Sequence, residues 1–60
     1  MNALRQQRQK MNLSQERVAE EVGVSRQYYN YIENNKRKPS ISLAKRLGSL
    51  LKIDWTIFFT

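Results

Sequence analysis

Hydrophobic residues recur along the chain at helical spacing, in blocks separated by short polar segments. A thin first block holds Leu4 and Met11, and the richest block runs from Ile41 to Leu51. Spacings of three and four residues are typical of helices that bury one face. The pattern predicts helices over about 2–10, 15–22, 25–34 and 40–51, and a short fifth helix after Asp54. The expected fold is therefore all-α, a compact five-helix domain.

The second and third predicted helices are joined by one tight turn. Ser14 and Ser25 each precede a helix, where a hydroxyl can accept a hydrogen bond from a free backbone N–H of the first turn. Gly23 follows the second helix, and glycine adopts the left-handed conformation that ends helices without steric cost. Two helices joined by a turn that contains glycine form the layout of DNA-reading helix-turn-helix motifs.

The chain resembles the phage-repressor and Cro type of bacterial helix-turn-helix domain, the lambda-repressor-like Xre family. The resemblance covers nearly all of the chain and is carried by Leu-Ser-Gln at 13–15, Val-Ala-Glu at 18–20, Val-Gly-Val-Ser at 22–25, Tyr-Ile-Glu-Asn at 31–34, and Pro39-Ser40. It departs from the family at two places, since Asn35 and Lys52 stand where glycine is usual. Asparagine tolerates the left-handed conformation, so the first departure is mild.

Composition limits the classes of function. Sixty residues permit one domain, 1–60, and eleven Lys and Arg against five Asp and Glu give a net charge of +6, which favours a polyanionic partner. The chain lacks cysteine and histidine, so we expect no enzyme, no metal site and no cofactor. No apolar run reaches the roughly 20 residues of a membrane span, and no secretory signal is visible, so the expected location is cytoplasmic.

The third predicted helix has one polar face. Arg26, Gln27, Asn30, Tyr31 and Asn34 fall within an arc of about 140° at 100° per residue, while Tyr29 and Ile32 lie opposite and face the core. This arc is either an ordinary solvated surface or a reading surface. Gln can bind adenine and Arg can bind guanine through two hydrogen bonds each. The predicted base-reading residues are Arg26, Gln27, Asn30 and Tyr31. Of these, Tyr31 would contact either a thymine methyl group with its ring or a phosphate with its hydroxyl, and the contact of Asn30 is similarly open.

Phosphate contacts are predicted on both sides of that helix. Lys36, Arg37 and Lys38 follow it, and they form either a solvated loop or a contact with phosphates beside the groove. The resemblance implies that Gln15 binds a phosphate from the start of the second helix. Tyr28 lies at the edge of the polar arc with its hydroxyl in water, and it completes the predicted phosphate-binding set.

Two further groups of residues bear on the fold and on assembly. Arg8 shares the inner face of the first helix with Leu4, so it is either a surface arginine or, as the resemblance favours, the partner of Glu33 in a partly buried salt bridge. The short final helix carries more apolar side-chain area than it can easily bury, contributed by Trp55, Ile57 and Phe59. They form either a dimer contact or the closure of the core, with Phe59 covering the first helix.

The resemblance implies a transcriptional regulator, most commonly a repressor, that binds double-stranded DNA with the third helix in the major groove. A homodimer on a palindromic operator, in a bacterial or phage-encoded protein found at the nucleoid when bound, follows from the same resemblance. No small-molecule or membrane partner is expected. The alternative is a protein-interaction module on the same scaffold, such as an antitoxin or a phage antagonist.

Overall fold

A computed structural model describes residues 2–60, which form four α-helices followed by one 3₁₀ helix. The α-helices are α1 at Asn2–Lys10, α2 at Gln15–Val22, α3 at Arg26–Glu33 and α4 at Ile41–Leu51, and the 3₁₀ helix spans Trp55–Phe59. No strand occurs among the residues described, so the all-α class is confirmed.

Serine caps begin three of the helices. The hydroxyl of Ser14 accepts the Arg17 N–H at 3.0 Å, and Ser25 and Ser40 accept the equivalent N–H groups of α3 and α4 at 3.1 Å. Gly23 ends α2 in the left-handed conformation, with φ of 78°. These caps satisfy backbone donors that have no partner inside the helix, which confirms the predicted starts of α2 and α3.

The core is a single apolar cluster to which every element contributes. α2 and α3 pack against each other, and α4 packs against α1, α2 and the 3₁₀ helix, so α4 is the central support of the fold. α3 reaches the core on one side only, which leaves its other side at the surface. The buried hydrophobic residues are Leu4, Val18, Ala19, Val22, Tyr29, Ile32, Leu43, Ala44, Leu47, Leu51 and Phe58.

The predicted fifth α-helix is instead a 3₁₀ helix of five residues. Asp54 caps it, as predicted, but its side chain accepts the Thr56 N–H two residues on, and its carbonyl accepts the Ile57 N–H three residues on. Such three-residue bonding is typical of short segments that cannot complete several α-helical turns. Lys52 ends α4 in the left-handed conformation with φ of 57°, although glycine is absent there.

Gly48 in the middle of α4 permits a close approach by the segment that leads into the 3₁₀ helix. A Cβ atom at this position would lie 2.8 Å from the carbonyl oxygen of Ile53 and 3.0 Å from the Cβ of Trp55. Glycine in a helix interior is unfavourable by up to about 1 kcal/mol relative to alanine. The close backbone contact explains why α4 carries it.

Candidate nucleic-acid interface

The outer side of α3 forms a polar surface at one face of the domain. Arg26 and Gln27, in its first turn, are exposed, and Asn30 and Tyr31, one turn later, are half-buried. Tyr29 is fully buried on the opposite side, as predicted, together with the other inward residues of α3, Ile32 and Glu33. The helix is therefore anchored from behind and presents its N-terminal polar residues outward.

Two shallow surface depressions flank Gln27. One of about 290 Å³ is lined by Ser25, Gln27, Tyr28, Tyr31 and Arg37. The other, of about 340 Å³, is lined by Arg26, Gln27 and Asn30. Gln27 also donates a hydrogen bond from Nε2 to the Tyr31 hydroxyl at 2.9 Å, which restrains both side chains. The structure thus brings the four predicted base-reading residues onto one continuous surface.

The start of α2 is joined to this surface by a hydrogen bond between side chains. Asn30 Nδ2 donates to Gln15 Oε1 at 3.2 Å, and both side chains are half-buried. Gln15 is the first residue of α2, next to the Ser14 cap. The predicted phosphate-binding residue and a predicted base-reading residue are therefore direct neighbours.

The basic segment emerges directly from the end of α3. Asn35 adopts the left-handed conformation with φ of 60°, and the Lys36 N–H donates to the Tyr31 carbonyl at 2.8 Å. This turn redirects the chain so that Arg37 returns to line the depression with Tyr28 and Tyr31. All three basic residues, 36–38, are exposed beside the polar surface of α3.

Glu33 is fully buried and is held by two arginines of α1. Its carboxylate accepts the Arg8 guanidinium from Nε and Nη2, both at 3.0 Å, and Arg5 Nε at 3.1 Å. Arg8 also donates to the Leu13 carbonyl at 2.9 Å. Of the two arginine side chains, Arg8 is only 11% exposed and Arg5 is 44% exposed. The structure brings Arg8 and Glu33 together and adds Arg5, which the sequence analysis did not name.

Electrostatics within this cluster follow from its burial and its pairing. Burial alone would raise the pKa of Glu33, but the hydrogen bonds from Arg8 and Arg5 outweigh it and the pKa is lowered. The hydrogen bond to Glu33 raises the pKa of Arg8. Burial, followed by the neighbouring carboxylate, raises the pKa of the Tyr29 hydroxyl. Glu33 is therefore ionised and Tyr29 is neutral at pH 7.

Side-chain contacts that the sequence analysis did not predict reinforce the ends of α2 and α3. Asn34 accepts from Arg5 Nη2 at 2.9 Å and donates to the Asn30 carbonyl at 2.9 Å, so it joins α1 to the last turn of α3. Arg46 of α4 donates to the Val22 carbonyl at 3.0 Å, at the end of α2. The three-residue spacing of Arg5 and Arg8 could have indicated the first contact, whereas no local pattern indicated Arg46.

The aromatic cluster at the 3₁₀ helix is partly buried. Trp55 and Ile57 are half-buried against the core, and Phe59 is 40% exposed and meets the Trp55 ring edge-on at 6.2 Å between centroids. Lys45 Nζ lies 5.3 Å from the centre of the Trp55 ring. Phe58, rather than Phe59, is the buried residue that closes the core.

Within residues 2–60, no group of three or more His, Cys, Asp or Glu side chains is placed to hold a metal ion. None of the helices described has the length and apolar character needed to span a membrane.

Comparison with known proteins points to one family. A family model described as helix-turn-helix matches residues 4–58. The chain is 45% identical over 56 residues to an uncharacterized HTH-type transcriptional regulator, YqaF, of Bacillus subtilis (strain 168), with 93% of this chain and 74% of the relative covered. It is 40% identical over 48 residues to an uncharacterized HTH-type transcriptional regulator of Methanothermobacter thermautotrophicus, with 80% and 70% covered. No solved structure gives a significant match.

Proposed function

Because the chain belongs to the helix-turn-helix family, we propose that it is a transcriptional regulator that binds double-stranded DNA sequence-specifically, with α3 in the major groove. The observation that carries this proposal is the outward placement of Arg26 and Gln27 at the N-terminal end of α3. That end of a recognition helix is the part that reaches base edges. The two relatives named as transcriptional regulators support the same function.

Base recognition rests on the chemistry of the exposed side chains. Gln27 can pair with adenine N6 and N7, and Arg26 can pair with guanine O6 and N7, through two hydrogen bonds each. The Tyr31 ring, one turn further along, can contact a thymine methyl group. Because α3 is anchored by Tyr29 and Ile32 in the core, these groups are presented at fixed positions.

Phosphate binding positions the helix on the duplex. Residues 36–38 are exposed just after α3, Tyr28 lines the same depression as Arg37, and the amide of Gln15 contacts Asn30 of α3. Such contacts carry little sequence information, but they set register and provide most of the salt-dependent affinity. The net charge of +6 has the sign that this role requires.

We extend the proposal to a single domain, 1–60, that binds a palindromic operator as a homodimer and represses by occupying it. Two half-sites would lie about 34 Å apart, or a multiple of that distance. The partly exposed Phe59, beside Trp55 and Ile57, is the proposed dimer contact. Replacing Phe59 with Glu should weaken binding to the full palindrome and leave binding to an isolated half-site unchanged.

The test of the proposal is selection of binding sites from random duplexes at near-physiological salt. Wild-type protein should return one symmetric sequence, and R26A and Q27A should each lose about 1–3 kcal/mol of discrimination at one base pair per half-site. Uniform weakening on all sequences by either variant would show that its side chain does not read bases.

The phosphate contacts need a separate measurement with a matched control. Replacing Lys36, Arg37 or Lys38 with Ala should reduce the salt slope of the affinity by about one unit. Lys52→Gly is the control because it also removes one positive charge and suits the left-handed backbone at that position. Lys52 follows the C-terminal end of α4, whereas residues 36–38 precede its N-terminal end, and α4 is about 16 Å long at 1.5 Å per residue. Equal slopes for the control and the test variants would contradict the proposed phosphate role.

A further inference from the structure

We propose that Asn30 acts on DNA binding as a positioning residue for Gln15, and that it does not read a base. The inference rests on the proposed function, because it concerns how that interface binds phosphate. It assigns to the middle of the recognition helix a role in orienting a side chain of the preceding helix.

The hydrogen bond between the two side chains engages the carbonyl end of the Gln15 amide and leaves its Nε2 end available to a ligand. Asn30 Nδ2 donates to Gln15 Oε1 at 3.2 Å, so the carbonyl oxygen of Gln15 is engaged by α3. The Nε2 group of Gln15 makes no hydrogen bond to any residue in 2–60. This group carries only donors, and a phosphate oxygen is an acceptor only.

Orientation matters because an unrestrained Gln amide can present either end to its surroundings. If the carbonyl faced a phosphate, two groups that accept hydrogen bonds would meet and the contact would be repulsive. Fixing the amide before binding reduces the entropy lost on association. The first turn of α2 adds free backbone donors and the positive end of its dipole at the same place.

Exposure separates Asn30 from the two residues at the N-terminal end of α3 that are proposed to read bases. Arg26 and Gln27 are exposed in the first turn of α3, whereas Asn30 is half-buried against Gln15. One donor hydrogen of Asn30 is already used in the contact with α2. Because Asn30 belongs to α3 and Gln15 to α2, the contact also ties the phosphate-bound end of one helix to the register of the other.

The experiment is a double-mutant cycle on the duplex selected by the wild-type protein. Dissociation constants are measured by fluorescence anisotropy for wild type, Q15A, N30A and the double variant, each first checked for a folded far-UV circular dichroism spectrum and for its melting temperature. Q15A should weaken binding about tenfold and N30A roughly threefold, as expected for losing or disordering a hydrogen bond to a charged group. The double variant should be no weaker than Q15A alone.

A second background removes the need for orientation. In Q15K the lysine ammonium donates in every direction, so adding N30A should leave the affinity unchanged. This arm guards against a purely structural effect, since damage to α3 by N30A would weaken binding in the Q15K background as well. Site selection with N30A should return the wild-type sequence.

Three results would overturn the proposal. One is a changed base preference at a single position with N30A, which would make Asn30 a reader. The second is additive losses in the cycle, and the third is weakened binding by N30A in the Q15K background. If wild-type protein selects no duplex sequence at all, the proposed function fails, and that outcome is distinct from additive losses in a protein that does select one.

Discussion

Replacing Glu33 with Ala is the most severe test of how this small domain holds together. The carboxylate is fully buried at the end of α3 and takes three hydrogen bonds from two arginines of α1, at 3.0 to 3.1 Å. Without it, Arg8 keeps a charged guanidinium that is only 11% exposed and has lost its anion. Arg5 is 44% exposed and can turn to water.

The expected loss follows from these exposures. Removing one partner of a buried ion pair destabilises a protein by about 3–5 kcal/mol, because the remaining charge is left without compensation. A domain of this size has a total free energy of unfolding of roughly 3–9 kcal/mol, at 0.05–0.15 kcal/mol per residue. Glu33→Ala should therefore remove a large share of the stability and unfold a measurable fraction of the protein at 25 °C.

Urea denaturation provides the measurement, followed by far-UV circular dichroism and by the fluorescence of Trp55, the single tryptophan. The matched control is Glu21→Ala, which breaks the exposed pair with Arg17, whose side chains are 44% and 62% exposed. Exposed pairs of this kind contribute about 0.3–0.5 kcal/mol. If Glu33→Ala shifted the midpoint no more than Glu21→Ala, the buried cluster would not be a major source of stability.

Three further measurements test other contacts. The pKa of Glu33 is lowered on folding from its ordinary 4.5, so its contribution to the free energy of unfolding should be complete above pH 4.5 and should fall as pH drops toward the folded pKa. Urea titrations at several pH values measure this, and a flat profile would contradict a stabilising role for the Glu33 cluster. Tyr31→Phe removes the hydroxyl that accepts from Gln27. In site selection it should reduce discrimination about threefold at the base that Gln27 is proposed to read, leaving other positions unchanged. Gly48→Ala should lower the free energy of unfolding measured in urea by about 1 kcal/mol, because overpacking against the Ile53 carbonyl exceeds the gain in helix propensity. A more stable variant would show that the segment from Ile53 to Trp55 moves away from α4 freely.

Helix ends were predictable because the interactions that set them are local. A serine hydroxyl that caps a helix bonds to an N–H three residues on, and a left-handed glycine ends a helix through its own dihedral angles. Ser14, Ser25 and Gly23 therefore indicated their roles without knowledge of the fold. For Asn35 the left-handed conformation was implied by the family resemblance, since glycine is usual there, and the structure has φ of 60° at this residue.

Contacts between distant residues were only partly predictable. Arg46 reaches Val22 across 24 residues, and no pattern in the sequence indicates that contact. Arg5 reaches Glu33 across 28 residues, and its three-residue spacing from Arg8 is the one signal that pointed to it. The 3₁₀ helix was predicted as an α-helix because both kinds of helix can begin with the same capping residue and carry the same apolar residues. They differ in their backbone hydrogen bonds, which here belong to a segment packed on α4. For the polar face, periodicity separated outward from inward residues of α3, but the contact between Asn30 and Gln15 depends on how α2 meets α3.

Burial of Glu33 links the stability of the domain to the charge of its proposed DNA-binding surface. Glu33 is the sole carboxylate on α3, and the cluster places it on the core side, neutralised by two guanidinium groups. The outward side of α3 therefore presents Arg26 and neutral amides, followed by three exposed cations, and no anion that would repel a phosphate. Because the cluster faces away from that surface, its loss should reduce the folded fraction without changing which bases the folded protein reads. The buried cluster and the proposed base-reading surface thus lie on opposite sides of one eight-residue helix.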